Sequence, residues 1–179
     1  SYGSFSPTLR DTVKKMLDAR WVDAPPQSGK IGGAFNYSVM LPNEEPRAYN
    51  FLNYLGSSRD VMTVAHELGH GVHGMLAAQA QGALQFRAPM AYAETASIFG
   101  EMTTFSFLLE RAETDEQRLA LLMNKAGDFI NSVVRQISFS NFERKIHAAR
   151  RDGKLSPEDF SARSEEHTSE LQSPDHLVC

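Results

Sequence analysis

His66-Glu67-Leu68-Gly69-His70-Gly71-Val72-His73-Gly74, written HELGHGVHG, sets three histidines and a glutamate within eight residues. On an α-helix, residues four apart differ by ~40° in azimuth and ~6 Å in rise, so His66 and His70 project side by side. That spacing lets two imidazoles reach one zinc ion. Glu67 lies ~100° round from His66 and ~60° from His70, too far round to bind the same ion but able to reach a water on it. A metal lowers the pKa of such a water to ~7, and a neighbouring carboxylate can take its proton. His73 follows His66 by seven residues on nearly the same face, but ~10 Å along the axis. Three ligands on one straight helix do not readily close a tetrahedral corner, so His73 reads as a supporting or packing residue.

The flanks make this stretch a helix. Ser57 and Asp60 stand at capping-box spacing, and Val61, Met62, Val64, Ala65 and Leu68 supply apolar positions, which predicts a helix over 59–80. A hydrolytic zinc site needs a third protein ligand with the fourth position left open. AYAETASIFGE, within a second expected helix over 91–111, puts Glu94 and Glu101 seven apart and within ~20° on one face. A carboxylate on so apolar a helix is costly to bury unless paired or metal-bound. Either could be the ligand, the other then orienting a histidine through its free ring N–H. Spacing does not choose between them.

Further out, Ser6-Pro7 opens a helix ending near Trp21, and 34–41 and 49–55 alternate as strands. Thr114 with Gln117 caps a long helix, whose expected buried face is Leu119, Leu122, Met123, Ala126, Ile130, Val133, Val134, Ile137 and Phe142. Ser156-Pro157-Glu158 starts one more. The fold class is therefore mainly α, with a small β-sheet preceding the histidine helix. The chain has 179 residues, 41% hydrophobic, net charge −4 and one cysteine. That suits one ordinary domain and gives no disulfide framework. The charge argues against a nucleic-acid partner, and no apolar run reaches the ~18–20 residues of a membrane span. No secretory leader is visible in a chain that does not begin with Met.

Residues 163–179, RSEEHTSELQSPDHLVC, show no helical or strand period and resemble the in-frame translation of a short-read sequencing adapter. We expect a non-native, disordered tail there, with 1–162 as the folded part. The tail carries Arg163 against Glu165, Glu166, Glu170 and Asp175, so the rest holds a charge of about −1. It also takes Cys179, His167 and His176 out of consideration, which removes any cysteine-based zinc site.

HELGHGVHGMLA followed by APMAYAETASIFGEMTTFSFLLERA resembles the M3 family of zinc metallopeptidases, in its oligoendopeptidase F branch. The likeness runs from about Tyr2 to Ala162, and the ETASxFGE segment is more specific than HExxH. The resemblance implies a zincin-like helical core binding one zinc through His66, His70 and Glu94. Glu67 would be the general base, and Glu101 and His73 supporting residues. It implies hydrolysis of short peptides in the cytoplasm, with GGAFNYSV offering an edge strand to the substrate backbone. Family members are several times longer, and nothing in 156–179 matches their C-terminal His/Tyr motif for the oxyanion. A partial catalytic domain truncated at both ends is thus expected, and loss of oxyanion donors costs ~10²–10³ in rate. Three other readings compete: a zinc carboxypeptidase of similar helix plan, an inactive zinc-binding fragment, and a di-iron helical protein. The last needs a second Glu-x-x-His, which 1–162 lacks.

Overall fold

The computed structural model describes residues 1–172, apart from the side chains of residues 90, 91 and 165–172. Two compact units divide at Leu121/Leu122. In the first, α1 (Tyr2–Phe5) and α2 (Pro7–Asp18) precede a sheet of β1 (Val22–Asp23), β2 (Phe35–Val39) and β3 (Arg47–Phe51). Then come α3 (Ser58–Gln81), α4 (Met90–Glu110) and the start of α5 (Asp115–Asp152). The strand order is β1-β3-β2, β3 running parallel to β1 and antiparallel to β2, so β2 is an edge.

The α3 start is the expected capping box. The Asp60 N–H donates to Ser57 Oγ (3.1 Å) and the Ser57 N–H to Asp60 Oδ2 (2.9 Å), satisfying two donors that a bare helix end leaves orphaned. Leu68, Val72 and Met75 recur at helical spacing and are buried in one cluster with Tyr2, Met16 and Ala48, and Ala65 is buried on the same helix. Full burial of side chains such as Leu68 and Met75 contributes about 1.5–3 kcal/mol each, which holds α3 against α2 and the sheet.

The glycines in HELGHGVHG let the neighbours come close. A Cβ on Gly69 would lie 2.5 Å from the Ala96 carbonyl oxygen of α4, and one on Gly74 2.1 Å from Ser38 Oγ of β2. Neither space exists for a side chain, so the histidine helix touches the ETAS helix on one side and the edge strand on another. At the face between sheet and α3, Asn36 Nδ2 donates to Asn50 Oδ1 (2.8 Å) and Ser38 Oγ to Asn36 Oδ1 (2.9 Å), so these sheltered polar groups are satisfied. The short α1 braces the helix pair, its Tyr2 hydroxyl donating to the Ala65 carbonyl at 2.6 Å.

Several expectations need correction. The second strand lies at 47–51, earlier than the 49–55 read from alternation, because pairing with β2 at Val39↔Arg47 sets its register. β1 is too short to show a period. Within α4, Ser97, Gly100 and Thr104 are buried while Ile98, Phe99 and Met102 are exposed. In the second unit, Leu122, Met123, Ile130, Val133, Val134 and Ile137 of α5 are solvent-exposed, as is Leu119 before it. Period marks a stripe but does not supply the surface that would cover it. α6 (Pro157–Gln172) also carries helix into the segment expected to be disordered. Its Ser156/Asp159 capping box nucleates it, and propagation then costs little. Residues 173–179 of the expected tail lie outside the described residues.

Candidate metal centre

Close packing of α3 on α4 brings His66, His70 and Glu94 together, one ligand atom from each lying within 4.8 Å of the others. Glu94 Oε2 is 3.2 Å from His66 Nε2 and 3.5 Å from His70 Nε2. Bonds of about 2.0–2.1 Å in a tetrahedral site hold ligand atoms about 3.3–3.4 Å apart, and the two distances from Glu94 match that separation. The two imidazoles meet edge-on, centroids 4.9 Å apart at 84°, so their ring nitrogens converge without stacking. Two imidazoles and a carboxylate are also the donor set that borderline-soft zinc accepts with one position open.

The outer contacts divide the carboxylates that spacing left tied. Glu101 Oε2 sits 3.3 Å from His66 Nδ1, the ring nitrogen facing away from the cluster. An N–H there donated to Glu101 fixes the tautomer and leaves Nε2 to face Glu94. Ser97, which the sequence reading passed over, donates its hydroxyl to Glu94 Oε2 at 2.7 Å and is fully buried. Its position three after Glu94 was the available clue, because that spacing returns to the same helix face.

Glu67 is buried, and burial pushes its carboxyl above the ordinary range. The hydrogen bond with Glu101 raises the His66 pKa, while burial lowers that of His70. A cleft of about 490 Å³ is lined by Glu67, His66, His70 and Glu94, by residues 34–38 of β2 and its approach, and by Arg87. His73 lines it too but stands outside the three-residue cluster. The arrangement therefore unites a metal-ligand set, a sheltered carboxylate and an edge strand around one space.

A sequence profile of peptidase family M3 matches residues 5–176. The chain belongs to peptidase family M3. Among M3 relatives, the chromosomal oligoendopeptidase F of Lactococcus lactis subsp. cremoris is 30% identical over 156 residues, 87% of this chain and 25% of its own length. An oligoendopeptidase F homolog of Borreliella burgdorferi is 35% identical over 134 residues, 74% of this chain and 22% of its own. A crystal structure described as a peptidase from Chlamydophila abortus superposes with a TM-score of 0.71 and 29% identity, over 92% of this chain and 27% of that one. One described as an oligoendopeptidase F from Bacillus anthracis shares the fold, with a TM-score of 0.73 at 18% identity, over 93% and 29%. The chain spans about a quarter of the length of the curated relatives it matches.

Proposed function

We propose that this chain carries the catalytic metal centre of a zinc-dependent oligopeptidase, which hydrolyses internal bonds of short peptides. The observation that carries the reading is the convergence of His66 Nε2, His70 Nε2 and Glu94 Oε2 at zinc-ligand spacing, beside the buried Glu67. One zinc would be held by His66, His70 and Glu94. When bound it would supply Lewis acidity to the scissile carbonyl and to water.

Glu67 is the general base in this reading: its carboxylate accepts the proton of the attacking water and returns it to the leaving amine. A carboxyl raised by burial is a stronger base than a solvated one, which suits proton transfer near neutrality. Glu101 holds the His66 ring, and Ser97 holds the Glu94 carboxylate. The free edge of β2 gives the substrate backbone a row of hydrogen-bonding groups, an arrangement that takes extended peptides without reading every side chain.

The test is a quenched oligopeptide assay with zinc measured on the same samples. Wild type is expected to bind one zinc and cleave, and Glu67→Gln to keep the zinc and lose cleavage by about 10²-fold or more. Undiminished hydrolysis by Glu67→Gln sinks the base assignment. Zinc binding without cleavage by wild type would instead mean that these 179 residues hold the metal without catalysing.

A further inference from the structure

The segment between α3 and α4 carries a cation that the hydrolytic chemistry does not use. Arg87 is the sole lysine or arginine among the described residues lining the cleft, whose other charged groups are the carboxylates Glu67 and Glu94. Its side chain is exposed but held at several points. Phe86, the residue before it, is 8% exposed and pins the segment. Across the cleft wall, Arg87 Nη2 donates to Tyr37 Oη on the edge strand at 3.1 Å. The guanidinium carbon lies 5.1 Å from the centre of the Tyr37 ring and 5.7 Å from that of Phe86. Both contacts are cation–π in kind and restrict a side chain that otherwise carries large rotamer entropy.

Among the described residues no carboxylate pairs with Arg87, and a hydroxyl takes one of its five N–H donors. A tethered guanidinium with donors to spare is the geometry that grips a carboxylate through two parallel hydrogen bonds. Apart from the proposed metal position, the cleft's other charged side chains, Glu67 and Glu94, repel an anion, so Arg87 is the lining side chain that favours a negative end of a bound molecule.

We propose that Arg87, propped by Tyr37, forms a subsite for a carboxylate of the bound peptide. That carboxylate is either the peptide's free C-terminus or an Asp or Glu side chain. The identity of the ligand as a peptide rests on the oligopeptidase reading above; the clamp itself needs neither the metal nor Glu67.

Anisotropy of dye-labelled pentapeptides tests it on both the zinc-loaded and the metal-free chain. The set comprises a free acid, its C-terminal amide, and amidated peptides differing by Glu against Gln. A charge-assisted pair at this half-open site should favour the carboxylate-bearing peptide by about tenfold. Preference for acid over amide assigns the terminal carboxylate, and preference for Glu over Gln a side chain; either supports the clamp. Arg87→Ala should abolish the preference and Arg87→Lys should retain only part of it, since a point charge lacks the fork. Zinc content and far-UV circular dichroism should match wild type in both variants. Equal binding of charged and neutral peptides by wild type, no binding of any, or an undiminished preference in either variant overturns the proposal. Absence of cleavage by the zinc-loaded chain, with the preference intact, would count against the oligopeptidase reading alone.

Discussion

Replacing Gly69 with alanine should damage the metal centre without touching a ligand. The new Cβ would stand 2.5 Å from the Ala96 carbonyl oxygen and 2.7 Å from Ser97 Cα, where ordinary contact begins at 3.4 Å. Both obstacles are backbone, so α4 must retreat by about 1 Å, since cores resist overpacking by shifting elements. Glu94 lies on that helix two residues before Ala96 and moves with it. Zinc–ligand bonds tolerate only about 0.2 Å, so the displaced carboxylate can no longer close the site.

The stability cost is smaller than the strain alone suggests. Overpacking costs about 1–3 kcal/mol, and alanine in a helix interior returns about 0.8–1 kcal/mol relative to glycine. A net loss of about 0–2 kcal/mol should leave the chain folded. Competitive chelator titration should show zinc affinity reduced by about tenfold or more, with helix content by circular dichroism preserved. As a control, Gly127→Ala in α5 meets nothing within 4 Å and should stabilise its helix slightly. Wild-type zinc affinity in Gly69→Ala would refute the claim that this close approach sets the ligand geometry.

Two further outcomes follow from the contacts around the ligands. Ser97→Ala removes the hydroxyl that fixes Glu94 Oε2 and should weaken zinc binding by about 10–100-fold in the same titration; unchanged affinity would contradict that role. Zinc binding should also depend on pH through His66, because the ion displaces a proton from any protonated ligand. The raised His66 pKa means that affinity begins to fall, as pH drops, above the ordinary imidazole value of about 6.5. The fall should be about one decade per pH unit until His70, held neutral by burial, also protonates. Glu101→Gln removes the main cause of the His66 shift and should move the onset to lower pH; a fixed onset would refute the assignment.

How far the sequence revealed the site depended on which interactions were local. The His66/His70 pair and the position of Glu67 follow from the period of one helix, whose start is written in Ser57 and Asp60. Both remain where spacing puts them. The choice between Glu94 and Glu101 is not local: it depends on how α4 rotates and slides against α3, which small residues at Gly69, Ser97 and Gly100 decide. Hydrophobicity misleads there, since α4 turns Ile98 and Met102 outward. The exposed α5 stripe has the same origin, because a helical period identifies an apolar face and not its cover. Arg87 carried no periodic clue at all, lying in a connection where only the fold brings it to Tyr37.

Zinc affinity of Glu94→Ala, set beside Glu101→Ala and wild type, tests the central claim most directly. The account predicts one zinc per wild-type chain and a 10–100-fold loss for Glu101→Ala, the cost of removing a group that orients a ligand. For Glu94→Ala, which removes a ligand itself, it predicts a larger loss than that. Wild-type affinity in Glu94→Ala, or a greater loss in Glu101→Ala, would contradict it.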